Sequence, residues 1–319
     1  MLLSRPDVAE DVIRAVRQHS RARVVYYGHD LHFWRMRQQA TVTQDDILRR
    51  EADWMEQREY AIWRQADLSL YPSEEEASIA LALQPDAAIA PVVPYCFDRF
   101  SEERPAQPGQ EIIFVAGFGH PPNEDAACWF VEEIFPLIQV QCPTAHLSII
   151  GAAPTERVRA LAGDGIDVFA DVSDLDLMAA YRRARVAVVP LRCGAGVKLK
   201  VVEALREGLP LVTTPTGAQG LSGLSQLVMV EDQPWRFARA VVLLLEDDAE
   251  WEWRSRLQIE FARARFSRDA MTASLLGALR VGGRAEASGG RGAAPASSGG
   301  NVTVAVADRT PRLERVEKP

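Results

Sequence analysis

The chain has 319 residues, of which 47% are hydrophobic and 25% are charged, as is usual for a globular protein with one large domain or two ordinary ones. Its formal net charge of -8 argues against nucleic acid as the main partner, because binding to a phosphate backbone requires a basic surface. No stretch approaches the roughly 20 apolar residues that span a bilayer, and the first residues lack the pattern of a secretory signal. We therefore expect a cytoplasmic protein.

Four cysteines are scattered along the chain, at positions 96, 128, 142 and 193. They show neither the paired spacing of a zinc site nor the density of a disulfide framework. We expect reduced thiols in the core or in loops.

Residues 1–97 show the pattern of part of an α/β domain. The predicted elements, in chain order, are a helical segment at 7–21, a strand at 24–27, a helix at 45–66, a strand at 68–71, and a helix that Ser73 caps. The first strand is followed by His29, Asp30 and further titratable residues up to Arg35. Two interpretations stay open for these histidines: a functional cluster at a strand end, or side chains paired with loop backbone.

A charged, proline-bearing linker is expected at 98–110, before a second patterned region at 111–280. The predicted strands of that region are 112–116, 147–151, 166–169, 186–190, 210–213 and 227–230, and the helices are 123–140, 155–162, 174–183, 197–207 and 234–247. Repeated strand-helix-strand units predict a parallel sheet with helices on both faces, as in a Rossmann-like domain. Residues 281–319 are rich in Gly, Ala, Ser and Pro, and we expect a disordered tail there.

The most informative motif is PLRCGAGVKLKVVEAL at 190–205, which combines a strand end, a loop with two glycines and the start of a helix. Lys198 and Lys200 lie where the helix dipole disfavours cations unless an anion is bound nearby. Gly194 and Gly196 would let the backbone approach such an anion, and Glu203 stands in an apolar run where a carboxylate usually has a purpose. The alternative is an ordinary crossover with a solvated Lys/Glu face, and the segment alone does not decide between the two.

Three glycine-bearing loops follow predicted strands, and they should converge at the carboxyl edge of the sheet, where ligands bind. They span 117–123, 192–196 and 216–221. Asn123, at the end of the first loop, is predicted to be a helix N-cap rather than a ligand contact.

Within residues 114–221, the segments GFGHPPNEDAACWFVEEIFPLI, LSIIGAAP, DVSDLDLMAAYRRARVAVVPLRCGAGVKLKVVEALREGLPLVTT and TGAQGL resemble the C-terminal domain of retaining GT-B glycosyltransferases of the group 1 (family 4) type. The segment YYGHDLHFWRMR resembles the second half of the N-terminal domain of that family. The resemblance, which covers about 20–280, implies an α/β protein of GT-B-like fold. It would have two Rossmann-like domains, with the N-terminal one incomplete, and would bind a nucleotide-diphosphate sugar mainly through the C-terminal domain.

The resemblance also implies the residues of a site. Glu203 would contact the nucleotide ribose, and the basic residues and N–H groups around Lys198 would meet the diphosphate without a metal or other cofactor. His29 would act on the transferred sugar or the acceptor hydroxyl, with Asp30 fixing its tautomer. Arg35 is either a surface residue or a ligand contact. The expected donor-binding residues are Gly119, Arg192, Gly194, Gly196, Lys198, Lys200, Glu203, Gly217, Gly220 and Leu221.

Two features depart from the family pattern. The first member of the family's glutamate pair would fall at Ala195, so a carboxylate is missing there. The segment before the linker, 1–97, is also shorter than a complete N-terminal domain of the family. A truncated chain and a reduced domain both fit this length.

We therefore expect a retaining glycosyltransferase of the hexosyltransferase type, acting on a carbohydrate, lipid-linked or small-molecule acceptor. The alternatives are a catalytically incomplete nucleotide-sugar-binding or scaffold protein and, third, a nucleotide-sugar epimerase. The donor base and sugar, the acceptor, the oligomeric state and a peripheral contact with the inner face of a membrane stay open. Trp34, Trp54 and Trp63 lie in helical segments and are expected in the core rather than stacked on a sugar.

Overall fold

The computed structural model describes residues 1–103, 105, 106 and 108–287, with side chains up to residue 281. In this part of the chain, two parallel β-sheets with helices packed against them form two α/β units. The N-terminal unit precedes the predicted linker, and the C-terminal unit follows it.

The N-terminal sheet has the strand order β1-β2-β3-β4, and every neighbouring pair is parallel. Its strands are β1 (Leu2–Ser4), β2 (Val25–Tyr27), β3 (Leu68–Tyr71) and β4 (Ile89–Pro91), and its helices are α1 (Pro6–His19), α2 (His32–Thr43), α3 (Asp46–Gln65) and α4 (Glu74–Leu83). The predicted strands and helices are confirmed with small differences at their ends, whereas β1, β4 and α2 are additional. Ser73 caps α4 as predicted, because its Oγ accepts the N–H of Glu76 at 3.1 Å.

The C-terminal sheet has the order β10-β9-β8-β5-β6-β7 and is also parallel throughout. Its strands are β5 (Glu111–Val115), β6 (His146–Gly151), β7 (Ile166–Ala170), β8 (Val186–Val189), β9 (Leu211–Thr213) and β10 (Met229–Val230), which confirms the predicted Rossmann-like arrangement. The chain leaves β5 toward β6 and β7 and then returns to β8 on the other side of β5. The strand order therefore reverses between β5 and β8, and ligands bind beyond the strand ends at such a switch point.

The helices between these strands are α5 (Pro121–Trp129), α6 (Phe135–Gln141), α7 (Glu156–Arg159), α8 (Asp174–Arg183), α9 (Leu199–Arg206), α10 (Pro215–Ala218) and α11 (Pro234–Glu246). The predicted helix at 123–140 is divided by a π-helical turn at Phe130–Ile134. Pro136 follows this turn, and since proline has no N–H to donate, regular α-helical bonding cannot continue through it.

The last two helices, α12 (Asp248–Phe266) and α13 (Arg268–Ala287), return the chain to the N-terminal sheet. Ala278 of α13 is buried with Leu68 and Leu70 of β3, and Ser274 accepts the N–H of Val93 at 2.9 Å. The predicted boundary between 280 and 281 falls inside α13, and the rest of the predicted tail, 288–319, lies outside the described residues. No described helix is both long and apolar enough to cross a bilayer.

The helical tryptophans differ in their surroundings. Trp63 is buried and donates its Nε1–H to the hydroxyl of Tyr71 at 2.7 Å. Trp34 is 40% exposed and Trp54 is 62% exposed, so the prediction of core positions holds for Trp63 alone among the three. All four cysteines are free, as expected, and three of them are buried.

Candidate functional site

A cavity of about 160 Å³ lies between the two units, where the loops after β5 and β8 meet. The N-terminal unit contributes Asp30 and Arg35 to its lining. The C-terminal unit contributes His120, Pro122, Asn123, Leu191, Cys193, Gly194, Ala195, Lys198 and Lys200. Two of the three predicted loops, 117–123 and 192–196, are thus brought together at one cavity.

Lys198 stands directly before α9 and is partly buried. Its Nζ donates to the carbonyl oxygen of Gly196 at 2.6 Å and to Oε1 of Gln219 at 3.2 Å. Burial lowers the pKa of Lys198 to about 8, although the charge of Glu76 opposes this change. Gly196 has a φ of 74°, and a Cβ there would lie 3.1 Å from the carbonyl oxygen of His29, so this position requires glycine.

Lys200 is held by the side-chain amide of Asn123, in the first turn of α5. Its Nζ donates to Oδ1 of Asn123 at 2.5 Å, and Nδ2 of Asn123 donates to the carbonyl oxygen of Gly117 at 2.7 Å. The prediction that Asn123 caps α5 is wrong, because Pro121, whose fixed φ suits the first turn, begins the helix earlier and places Asn123 inside it. Burial, and then repulsion from Lys198, lowers the pKa of Lys200 to about 7.

The hydrogen bonds of the two ammonium groups go to neutral oxygens, and in the described part of the chain neither group forms an ion pair. Nζ of Lys200 also lies 5.4 Å from the ring centroid of Phe114. The choice of lysine is itself unusual, because the chain has three lysines among its 36 basic residues. Two cations without anionic partners, at the start of a helix whose first N–H groups have no side-chain cap, suit a doubly charged anion.

A second cavity, of about 510 Å³, adjoins the first, and Lys200 lines both. Its remaining lining residues come from strand ends and from α8 and α9: Val115, Ala116, Gly117, Ile150, Gly151, Ala152, Asp171, Val172, Leu177, Leu199 and Glu203. Glu203 accepts the hydroxyl of Tyr181 at 3.4 Å, and burial raises the pKa of Glu203. A largely apolar slot with carboxylates, next to a cationic cavity, suits a nucleoside joined to phosphates.

On the N-terminal side, Oδ2 of Asp30 accepts Nε of Arg35 at 2.9 Å, and Oδ1 of Asp30 lies 3.0 Å from Nδ1 of His32. His29 is exposed, and its ring packs edge-on against Tyr27 with 4.8 Å between ring centroids. Asp30 therefore pairs with His32, and the prediction that Asp30 fixes the tautomer of His29 is wrong. The reason is α2, which begins at His32 and turns that ring back toward Asp30.

Arg192 and Gly119 lie outside the linings of both cavities. Nε of Arg192 donates to Oδ2 of Asp125 at 2.9 Å, and the guanidinium carbon lies 5.7 Å from the ring centroid of Trp129. Gly119 has open space where a Cβ would stand. The donor contacts expected of these two residues stay predictions.

The third predicted loop, 216–221, mainly supports the interface between the units. A Cβ on Gly217 would collide with Oγ1 of Thr213, so packing explains this glycine. Gly220 and Leu221 line a separate cavity of about 300 Å³ between the units. The side chain of Gln219 lies outside the lining of the first cavity but accepts the hydrogen bond from Lys198 described above.

His120 and Cys193 line the first cavity but are not among the predicted site residues. The sequence feature that could have identified His120 is its position in a glycine-bearing loop directly after a predicted strand. Burial, and then the charges of Arg35 and Lys200, lowers the pKa of His120. In the described part of the chain, no three histidine, cysteine or carboxylate side chains are grouped closely enough to hold a metal ion.

Residues 109–247 match the protein family described as Glycosyl transferases group 1. A relative is the "Uncharacterized 44.6 kDa protein in cps region" of Klebsiella pneumoniae, which is 28% identical over 150 residues. This match covers 44% of the chain and 37% of the relative, so the matched part spans little more than a third of the relative's length.

Several solved structures have a similar fold. Sucrose-phosphate synthase from Thermosynechococcus elongatus has a TM-score of 0.70 and 18% identity, covering 89% of this chain and 73% of that one. TarM has a TM-score of 0.69 and 10% identity, covering 87% of this chain and 54% of TarM. The pneumococcal O-GlcNAc transferase GtfA, in complex with UDP and GlcNAc, has a TM-score of 0.64 and 13% identity, covering 88% of this chain and 56% of GtfA.

At these identities the likeness to solved structures establishes the fold, and the family match covers one segment of the chain. The chain therefore has a GT-B-like fold, within which residues 109–247 match the group 1 glycosyltransferase family.

Proposed function

We propose that the chain is a glycosyltransferase that moves a hexose from a nucleoside-diphosphate sugar to an acceptor hydroxyl, with retention of configuration. The observation that carries the proposal is the pair Lys198 and Lys200, two partly buried ammonium groups with neutral partners beside a slot of nucleoside size. The names of two solved neighbours support a nucleotide donor, since GtfA was solved with UDP and GlcNAc and a TarM variant with UDP.

The donor would lie across the two adjoining cavities. Its diphosphate would meet the two ammonium groups at the positive end of the α9 dipole. Its ribose would face Glu203, whose carboxylate accepts hydrogen bonds, and its base would lie against apolar residues such as Ile150 and Val172. The sugar would then extend toward the N-terminal unit.

This arrangement suits cleavage of a glycosyl-phosphate bond. Negative charge builds on the leaving diphosphate as the bond breaks, so fixed cations stabilise the transition state more than the ground state. Lys198 and Lys200 supply that charge at positions set by Gln219 and Asn123.

A second candidate is a protein that binds a nucleotide sugar without turning it over. The exposed ring of His29, which lies outside both cavity linings, favours this candidate, because His29 is the residue expected to act on the sugar or the acceptor. The two candidates share the donor site and differ in the chemical step.

Calorimetry with UDP and GDP, followed by measurement of nucleotide release from their sugar conjugates, separates the candidates. We expect binding of one nucleotide and release of it from the matching sugar conjugate when acceptors are supplied. Folded protein that binds neither nucleotide would refute the donor site, and binding without release would favour the second candidate. Proton NMR of the product gives the anomeric configuration, and an inverted product would refute retention.

A further inference from the structure

Glu59 is a carboxylate in the interior of the N-terminal unit, where an acidic side chain is costly unless it is paired. It belongs to α3 and is fully buried. Its oxygens accept the backbone N–H groups of His32 at 3.4 Å and Phe33 at 3.1 Å, and the hydroxyl of Tyr71 donates to it at 3.3 Å. Glu59 thus caps α2 from another helix and fixes where His32 stands.

His32 lies between Glu59 and a second carboxylate, that of Asp30. Its Nδ1 is 3.0 Å from Oδ1 of Asp30 and 3.6 Å from Oε1 of Glu59. Burial by itself lowers the pKa of His32, but the hydrogen bond with Glu59 and the charge of Asp30 outweigh burial, so the pKa is raised. Arg35 and His29 are the other titratable groups whose charges act here. Nδ1 also lies 3.1 Å from the carbonyl oxygen of Asp30, so the ring contacts the backbone and the carboxylate of Asp30 and lies near Glu59.

Asp30, which contacts His32, also lines the first cavity. In the lining, as far as the described residues form it, Asp30 is the one carboxylate, and Lys198 and Lys200 line the same space. A Cβ on Gly196 would lie 3.3 Å from Cβ of Asp30, so Asp30 stands against the loop that carries the lysines. A carboxylate repels a diphosphate but accepts hydrogen bonds from hydroxyl groups. Asp30 thus suits the hydroxyl-rich part of a donor.

We propose that Asp30 binds hydroxyl groups of the donor sugar and that His32 and Glu59 are positioning residues that hold Asp30 for this task. The inference rests on the proposed function and names the group that holds the sugar. One oxygen of Asp30 faces His32 and the other accepts from Arg35. Oδ1 is buried against His32, so Oδ2, which keeps a lone pair beside its bond from Arg35, is the oxygen available to a sugar hydroxyl.

The test compares free nucleotides with their sugar-bearing forms. Calorimetry gives the dissociation constants of UDP, GDP, UDP-glucose, UDP-N-acetylglucosamine and GDP-mannose for the wild type and for the variants His32→Gln and Asp30→Asn. His19→Gln is the matched control, because His19 is an exposed histidine at the end of α1. We expect each variant to bind the best sugar nucleotide about tenfold or more weakly, while its binding of the free nucleotide is weakened less than about twofold.

Since His32 acts through Asp30, the double variant should bind the sugar nucleotide no more weakly than Asp30→Asn alone. Equal weakening of free and sugar-bearing nucleotide in the variants would indicate a merely structural role and overturn the inference. Unchanged affinities in Asp30→Asn would overturn it as well. Because the side chain of Asp30 is partly exposed, we expect Asp30→Asn to fold, so this variant tests the inference even if His32→Gln folds poorly. A wild type that binds neither UDP nor GDP would instead refute the proposed function itself.

Discussion

Replacing Lys200 with methionine should stabilise the ligand-free protein while weakening its binding of the nucleotide. Methionine keeps an unbranched side chain of similar length without the charge. Burial lowers the pKa of Lys200 from 10.5 to about 7 in the folded protein. The protonated lysine therefore opposes folding at neutral pH, by at most roughly 5 kcal/mol, since each tenfold change in an acidity constant corresponds to about 1.4 kcal/mol.

Two effects reduce the gain from this substitution. The side chain of Lys200 is only partly buried, so the ammonium group keeps some of its hydration. Its removal also leaves Oδ1 of the buried Asn123 without its hydrogen bond, at a cost of about 1–3 kcal/mol. We expect a net stabilisation of about 1–3 kcal/mol, which raises Tm by a few degrees.

The pH dependence of this stabilisation follows from the protons bound by each state. Below about pH 7, Lys200 is protonated in both the folded and the unfolded protein, and the advantage of methionine is complete. Between about pH 7 and the ordinary lysine pKa of 10.5, the unfolded wild type binds more protons than the folded wild type. The stability of the wild type therefore rises with pH, and the difference between the two proteins becomes smaller.

Thermal unfolding without ligand, at about pH 6.5 and about pH 9.5, measures both proteins across that interval. A Lys200→Met protein that is less stable than the wild type at the lower pH would refute the electrostatic account. A difference in Tm that does not shrink at the higher pH would refute it too.

Two further predictions concern binding. Lys198→Ala and Glu203→Ala should each weaken the binding of UDP or GDP about tenfold or more, because a charge-assisted hydrogen bond contributes about 1.5–3 kcal/mol. Glu156→Ala, at an exposed position of α7, is the control in the same calorimetric titration, and unchanged affinities in both site variants would contradict the assigned site. The second prediction is that a sugar nucleotide binds the wild type up to about tenfold more weakly at pH 8 than at pH 7, because binding must restore the proton of Lys200. Calorimetry measures this difference, and the phosphates of a sugar nucleotide keep the same charge at both pH values. In the control Lys200→Arg, the arginine stays charged at both pH values, so the affinity should depend less on pH. Equal wild-type affinities at pH 7 and pH 8 would argue against a protonated Lys200 at the phosphates.

Most elements of the fold could be predicted because their causes are local. The strands β5 to β10 are short apolar runs, and each lies where such a run predicts a strand. Asp45 and Ser73 cap α3 and α4 with their own side chains, so the starts of these helices depend on neighbouring residues alone. Parallel strands with helical crossovers then leave few possible topologies.

The start of α2 could not be predicted, because its cause is distant in sequence. Leu31 precedes the helix and has no side-chain oxygen that could cap it. The cap comes from Glu59, which is 27 residues beyond His32. The titratable cluster at 29–35 was visible in the sequence, but the pairing of Asp30 with His32 follows from the packing of α2 on α3.

The glycines of the three loops look alike in sequence and serve different purposes in the structure. Gly196 has a left-handed backbone and stands against the N-terminal unit, which places the loop at the cavity. Gly217 leaves room for Thr213 within the C-terminal unit, and Gly220 contributes to the interface. Glycine shows only that space or conformation is restricted, so it did not reveal which loops hold a ligand.

The use of lysine at the cavity connects the stability of the protein to its proposed function. Arginine stays charged when it is buried, so an empty site built from arginines would bear the whole cost of removing two charges from water. Lys198 and Lys200, with pKa values of about 8 and about 7, can instead lose a proton while the site is empty. A bound diphosphate favours the protonated forms and so restores both charges where the leaving group needs them. A site selected for stability alone would carry apolar side chains here, and the proposed anion-binding role accounts for the two lysines in their place.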